Sequence, residues 1–164
     1  MSKSFSRSVE SEVGVEDVFA VLTGEHWAEQ LAEHMGDDCR LVSREETAGG
    51  GVTLVLSRRL PQGIPGFLQK FLPSDPRVTT TDAWGPLVDG RRECTWKAKI
   101  DQAPARITGT QVLETTAGGN RHTTHGEVSV SVPLVGGKAE SFIAEQISKL
   151  AAKHAEVVEK VLRA

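Results

Sequence analysis

The most regular pattern of apolar positions lies at the end of the chain. Between Lys138 and Leu162, apolar residues recur at intervals of three and four, and neither Gly nor Pro interrupts the run. This spacing predicts an amphipathic α-helix of about 25 residues, roughly 37 Å long. Charged residues fill the other positions, and Glu145 and Lys149 have the favourable i,i+4 order. One face of the helix must therefore be covered by a partner of similar length.

One polar residue shares the apolar face of this helix. His154 is in phase with Ile147, Leu150, Val157 and Val161. A hydrogen-bonded histidine at the edge of a core is the simpler interpretation. Because an imidazole titrates near neutral pH, a histidine that contacts a ligand or transfers a proton is the alternative.

The start of the chain predicts a strand and two short helices. Phe5, Arg7 and Val9 alternate with serines, which is typical of a strand with one polar face. The segments Val15 to Leu22 and Trp27 to Met35 then have a helical period, and Thr23-Gly24 separates them. Two short helices joined by a kink are expected.

From Cys39 onward the apolar period changes to two. Cys39 and Leu41 oppose Arg40, Val42 and Arg44, and further alternating segments follow. Strands are predicted at Val52 to Ser57, Arg77 to Trp84, Arg91 to Ile100, Ala105 to Thr115 and Arg121 to Val132. The connections are short and rich in Gly, Pro and Asn, so neighbouring strands should be antiparallel. Ala48 to Gly51 is one of these turns, because it lacks the Lys-Ser/Thr of a phosphate loop.

One insertion, Pro61 to Pro73, departs from this alternation. It carries apolar residues with helical spacing over about two turns: Ile64, Phe67, Leu68, Phe71 and Leu72. A helix this short needs a surface to pack on. The sequence leaves three roles open: a loop packed over the rim of the sheet, a mobile lid over a ligand entrance, or a segment that docks on a membrane.

Charge and composition exclude several classes of protein. Nineteen basic and 22 acidic residues give a formal net charge of −3, without a basic patch, which argues against a nucleic-acid partner. No signal peptide and no transmembrane segment are apparent, so a cytoplasmic protein is expected. Cys39 and Cys94 are predicted to be free, buried residues, because two cysteines do not suggest a disulfide framework.

The order of elements favours an α+β fold in which a sheet curls around the terminal helix. The strand, the two short helices, the meander and the segment Val132 to Glu140 resemble the helix-grip fold of the START and birch-pollen-allergen superfamily, also called polyketide cyclase or SRPBCC. Leu60-Pro61, Asp82-Ala83-Trp84 and the glycine-led terminal helix are similar to a bacterial START-like family of unknown function. The resemblance implies one domain over residues 1–164, with about six to seven antiparallel strands.

The resemblance also implies a cavity between the sheet and the terminal helix that takes apolar molecules. The period of two predicts which strand residues face this cavity. If Val128 faces the helix, His122 and Thr124 share its side, while His125 and Glu127 face outward. His122 and His125 therefore cannot share a zinc ion, and neither a metal nor a cofactor is expected. Apolar walls with a few polar groups are typical of a small-molecule pocket.

The resulting hypothesis is a protein that binds a hydrophobic or amphipathic small molecule, lipid-like or polyketide-like, as a carrier or a sensor. The predicted ligand-binding residues are His154, Leu150, Ile147, Trp96, Cys94, Gln111, His122, Thr124, Trp84, Phe67 and Phe71. One alternative is a cyclase or hydratase in which His154 and His122 converge and transfer protons. Another is an interaction module that docks through the helix of residues 64–72. A monomer or a weak homodimer is expected.

Overall fold

Seven strands, four α-helices and one 3₁₀ turn at Ala48–Gly50 make up the regular structure of the part of the chain that the computed structural model describes, residues 2–36, 38–60 and 63–164. In chain order the elements are β1 (Lys3–Ser11), α1 (Val15–Leu22), α2 (Trp27–Met35), β2 (Cys39–Thr47), β3 (Gly51–Arg59), α3 (Gly66–Gln69), β4 (Arg77–Trp84), β5 (Arg91–Ile100), β6 (Ala105–Thr116), β7 (Gly119–Val130) and α4 (Gly136–Arg163).

All seven strands pair antiparallel in the order β1-β7-β6-β5-β4-β3-β2. Helix α4 packs against β1 and β7, while α1 contacts α4 and β6, and α2 contacts α4 and β2. The core lies between the helices and the sheet face that alternates Leu54, Leu56, Trp84, Trp96 and Ile107. The predicted helix-grip fold is confirmed.

Helix α4 begins at Gly136, two residues before the predicted start at Lys138. A Cβ atom on Gly136 would lie 2.9 Å from the carbonyl oxygen of Val130, so a glycine allows the helix to start directly against the end of β7. The buried carboxylate of Glu140 then accepts a hydrogen bond of 2.9 Å from the backbone N–H of Val130. These two contacts fix the angle at which α4 leaves the sheet.

The connection between β3 and β4 contains one helical turn, and the prediction of a two-turn helix over Ile64 to Leu72 is wrong. Helix α3 ends at Gln69, and separate turn hydrogen bonds from Phe71 to Leu68 and from Leu72 to Gln69 follow it. Pro65 fixes its start, and a run this short gains little from its own hydrogen bonds. Leu72 packs on the core. Pro61, where the predicted insertion begins, lies outside the described residues.

A β-bulge between Leu41 and Ser43 changes the predicted alternation of β2. Beyond the bulge, Arg44 pairs with Leu54, so it faces the side that the sequence pattern assigns to Cys39 and Leu41. Its guanidinium Nε donates a 2.6 Å hydrogen bond to the carbonyl oxygen of Thr23, at the end of α1. The placement of Arg44 on the opposite face was therefore wrong, because an extra residue in one strand reverses the side-chain order after it.

Candidate ligand-binding site

The inner face of the sheet, which faces α4, follows the predicted alternation on β5, β6 and β7. Cys94, Trp96 and Ile100 are buried there, while His125 and Glu127 are exposed on the outer face. In contrast to these buried residues, a group of inner-face residues on β4 to β7 is only half-buried: Thr80, Asp82, Ala98, Gly109, Gln111 and His122.

The side of α4 that faces the sheet shows a matching change along its length. Ala139 and Ala144 near its start are buried, as are Val157 and Val158 near its end. Between them, Ile147, Leu150 and His154 keep accessible surface, although they lie on the same side of the helix. We call the region between the middle of α4 and these accessible residues of β4 to β7 the hollow.

Trp96 forms the floor of the hollow. Its indole N–H lies 3.2 Å from the carbonyl oxygens of both Thr110 and His125, so the ring lies across β6 and β7. Gly109 and Gly126 make this possible, because a Cβ atom at either position would come within 3 Å of the indole. The ring of Phe5, on β1, packs at a centroid distance of 6.4 Å from Trp96.

A polar chain crosses the inner face from β4 to β7. The Oε1 atom of Gln111 lies 2.7 Å from Nε2 of His122. Because a carbonyl oxygen can only accept, Nε2 of His122 carries the proton and Nδ1 presents a lone pair. The amide nitrogen of Gln111 faces the other way, toward the thiol of Cys94 at 3.8 Å and the carboxyl group of Asp82.

A second polar contact joins β3 to α4. A guanidinium nitrogen of the buried Arg58 lies 3.4 Å from Nε2 of His154, and another lies 3.9 Å from the thiol of Cys39. A guanidinium can only donate, so Nε2 of His154 accepts and its ring proton is on Nδ1. The indole of Trp27 meets the imidazole edge to face at 5.8 Å. Arg58 thus connects the sheet to the predicted site on the helix.

Burial shifts the pKa values of Asp82, His122 and His154, which line the hollow. It raises the pKa of Asp82 to about 6, against the opposing effects of the Gln111 amide and the Arg58 charge. It lowers the pKa of His122 to about 4. Burial, together with the smaller effects of Arg58 and His122, lowers the pKa of His154 to about 3. All three residues nevertheless keep accessible surface. Each of the three titratable groups is therefore desolvated although its residue is only half-buried.

The sequence comparisons agree with this architecture. The profile of a family described as "Protein of unknown function (DUF2505)" matches residues 6–162. The chain belongs to this family. Uncharacterized protein Rv0481c of Mycobacterium tuberculosis is 31% identical to it over 160 residues, which cover 92% of this chain and 91% of the relative.

Solved structures show that this member of the family has a START-like fold. The di-domain ARO/CYC protein StfQ from the steffimycin biosynthetic pathway aligns with a TM-score of 0.65 at 14% identity, over 96% of this chain and 49% of that chain. A START superfamily protein from Mycobacterium smegmatis aligns with a TM-score of 0.57 at 12% identity, over 96% of this chain and 98% of that chain. At this identity the likeness shows the fold alone.

The structure brings most of the predicted site residues together in this family member. Around the hollow lie Ile147, Leu150, His154, Trp84, Cys94, Trp96, Gln111, His122 and Thr124. Phe67 and Phe71 are half-buried on and after α3, in the connection between β3 and β4, and the Lys70 ammonium lies 5.3 Å from the Phe71 ring. Whether these two residues contact a ligand stays a prediction.

Sequence reasoning missed Asp82 and Arg58 as site residues, although the signal was present. Asp82 is in phase with Trp84 on β4, and Arg58 is in phase with Leu54 and Leu56 on β3. A charged residue at an inward position of an otherwise apolar strand is costly to bury and therefore marks a polar contact. The alternation alone would have placed both residues on the inner face.

Other potential sites lie apart from the hollow. A cleft of about 530 Å³ opens at the connection between β3 and β4, and Leu60, Ile64 and Leu72 line part of it. No residue of the predicted site lines this cleft, among those the structure describes.

Across residues 2–36, 38–60 and 63–164, no three His, Cys, Asp or Glu side chains are grouped so that they could hold a metal ion. No described helix is both long and apolar enough to span a bilayer.

Proposed function

We propose that this protein binds a hydrophobic or amphipathic small molecule in the hollow, as a carrier or a sensor. One observation carries the proposal. The middle of α4 keeps accessible surface on its sheet-facing side, at Ile147, Leu150 and His154, while Ala139 and Ala144 before them and Val157 and Val158 after them are buried. A helix packed on a filled core would be buried along its whole inner side. The START-like fold supports the same class of function.

The composition of the hollow suits a ligand with one apolar part and one polar part. Trp84 and Trp96 supply aromatic walls, and Ile147 and Leu150 supply aliphatic ones. Polar groups are few and fixed, which is the usual arrangement in a small-molecule pocket. We propose that a ligand's apolar part contacts these four side chains and that its polar part contacts His122 and His154.

A substitution that fills the hollow tests the proposal. Ala98 lies between Thr80 and Ile107 on the inner face, so Ala98→Phe would occupy space that a ligand needs. We expect its affinity for the apolar dye anilinonaphthalene sulfonate to fall by roughly tenfold or more, by fluorescence titration. Thr95→Phe is the matched control, because Thr95 is exposed on the outer face of the same strand.

Two results would contradict the proposal. Equal dye affinity for Ala98→Phe and Thr95→Phe would show that the dye binds elsewhere. A freshly purified protein that carries no co-purified small molecule by native mass spectrometry, and that binds nothing in a screen of lipids and aromatic compounds, would show that the hollow is not a ligand site.

A further inference from the structure

Two polar groups of the hollow, His122 and Asp82, are arranged to accept hydrogen bonds. Nε2 of His122 is committed to Gln111, which leaves its Nδ1 as an acceptor. Asp82, with its carboxyl oxygens, lies on the other side of the same glutamine. Among the described residues, no buried side-chain nitrogen or oxygen lacks a hydrogen-bond partner. Nδ1 of His122 has no hydrogen-bond partner among the described residues. It is therefore accessible, as expected of an atom that lines the hollow.

Charges near Asp82 restrict what a ligand can bring to this place. An anionic group on the ligand would be repelled by the Asp82 carboxylate. Arg58 is the cation that acts on this cluster within the described residues, and it already faces His154, Cys39 and Asp82. A cationic group would meet the field of Arg58. Both histidines are neutral, so they neither attract an anion nor repel a cation strongly. An uncharged donor of hydrogen bonds meets none of these penalties.

We propose that Asp82 and His122, held in place by Gln111, form a subsite that accepts hydrogen bonds from a hydroxyl group of an otherwise apolar, uncharged ligand. The inference rests on the proposed function and specifies the ligand class of the same site. In this arrangement Gln111 is a positioning residue, because its amide fixes the tautomer of His122 and faces Asp82. Asp82 and His122 are the residues that contact the ligand and determine its class.

Four compounds with one ring system test this inference: naphthalene, naphthol, naphthoate and naphthylmethylammonium. Isothermal titration calorimetry at about pH 7.5 gives the affinity of each compound. At this pH the carboxyl group of Asp82 is ionised. We expect naphthol to bind roughly tenfold or more tightly than naphthalene, and also more tightly than either charged compound, because a hydrogen bond to a charged acceptor is among the stronger ones.

The ratio of the naphthol affinity to the naphthalene affinity, measured within each variant, separates the role of Asp82 from effects on the fold. In Asp82→Leu we expect this ratio to fall to about one, since the carboxylate is gone. Asp82→Asn, which keeps the shape of the side chain, should give an intermediate ratio. Glu127→Leu removes an exposed carboxylate from the outer face of β7 and should leave the ratio at the wild-type value.

The outcomes distinguish this inference from the proposed function. Binding of naphthalene without any gain from the hydroxyl group, a preference for naphthoate or the ammonium compound, or an unchanged ratio in both Asp82 variants would overturn the inference and leave the proposed function standing. If none of the four compounds binds and the dye and lipids fail as well, both are overturned. Circular dichroism of each variant shows whether a fall in the ratio of the two affinities is accompanied by unfolding. If Asp82→Leu is unfolded, the ratio measured for Asp82→Asn tests the inference.

Discussion

At the level of single residues, two glycines determine how deeply Trp96 sits in the sheet. A Cβ atom at Gly126 would overlap the ring of Phe5 and lie 2.8 Å from Cζ2 of Trp96. A Cβ atom at Gly109 would overlap the carbonyl oxygen of His125 and lie 2.7 Å from the indole nitrogen. The two rings therefore occupy the volume that side chains would fill at any other strand position. The hollow begins directly above them.

Gly126→Ala is expected to lower the free energy of unfolding by about 1 to 3 kcal/mol. The added methyl group overpacks the floor of the hollow, and neither Phe5 nor Trp96 can move without losing contacts to β6 and β7. Urea unfolding followed by tryptophan fluorescence measures the change.

Gly118→Ala is the matched control for this substitution. A Cβ atom there meets no atom within 4 Å and the backbone is not left-handed, so the change should be neutral or slightly stabilising. Equal stability of the Gly126 and Gly118 variants would mean that the indole does not lie on the glycine pair.

At the level of elements, Arg92 ties helix α1 to two turns of the sheet. Its guanidinium donates hydrogen bonds of 2.6 and 3.0 Å to the carboxylate of Glu16 and bonds of 3.1 and 2.8 Å to the carbonyl oxygens of Gly50 and Gly85. It also lies 3.5 Å from the centroid of the Phe19 ring. The hydrogen bond from Arg92 lowers the pKa of Glu16, despite partial burial. One buried side chain thus fixes α1 over the sheet.

Replacing Arg92 with methionine should cost roughly 2 to 3 kcal/mol in the free energy of unfolding, because two carbonyl groups and a carboxylate lose their donor. We discount the ion pair within this figure, since the Glu16 side chain is 53% exposed. Arg91→Met removes a neighbouring arginine whose ion pairs with Glu93 and Glu114 lie on the surface. This control should lose less than about 1 kcal/mol. Equal losses in thermal or urea unfolding would contradict the role assigned to Arg92.

The sequence predicts most elements here because their periods are strong, and it fails where a local exception decides. Helices α1 and α2 begin and end where the apolar spacing places them. The bulge in β2 depends on a pairing with β3 that no local pattern encodes, so Arg44 was assigned to the wrong face. Helix α3 is shorter than its spacing suggests, because periodicity shows which face could pack but not whether a surface exists to pack on.

The same distinction applies to the candidate site. Alternation alone placed Gln111, His122 and Thr124 on the inner face, since a strand has only two faces. The contact between Arg58 and His154 joins residues 96 positions apart, and only the tertiary fold brings them together. The shifted pKa values likewise arise from burial that the sequence does not contain.

At the level of the whole molecule, the titratable groups of the hollow oppose one another in their effect on stability. Folding lowers the pKa of His122 and His154 from 6.5, so the unfolded chain binds their protons first and stability falls as pH falls below about 6.5. Folding raises the pKa of Asp82 from 3.8, so the folded protein binds that proton first and stability falls as pH rises between about 4 and 6. The effect of the two histidines on the pH dependence of stability is therefore opposite in sign to the effect of Asp82.

Between about pH 6 and pH 5 we expect the wild type to lose about 1.4 kcal/mol of unfolding free energy, which corresponds to roughly one net proton. His154→Phe should make this interval nearly independent of pH, and Asp82→Asn should steepen the loss by more than half. Urea titrations at the two pH values measure all three proteins. A wild type with equal stability at both values would contradict the burial of the two histidines.

The low pKa values also bear on the alternative of a histidine-dependent enzyme. His122 contributes to the lowered pKa of His154, but the convergence of the two rings within several ångströms stays a prediction. Both are nevertheless neutral at physiological pH, which makes them poor proton donors. Asp82, with a pKa of about 6, is better matched to proton transfer than either histidine.

The second alternative, docking on a partner protein through residues 64–72, stays a prediction, and gel filtration of Phe67→Asp and Phe71→Asp tests it.

The position of β1 has a consequence for how the chain is made. β1 precedes the other described strands along the chain but pairs with β7 alone among them, and the hydrogen bond from Asn120 to Ser11 spans 109 positions. The neighbours from β2 to β7 follow one another along the chain and can pair as they emerge from the ribosome. Until α4 follows, the nascent sheet leaves the part of its inner face that α4 covers exposed to water, although α1 and α2 have already been made. Chains that stall before Gly136 are therefore expected to bind chaperones strongly.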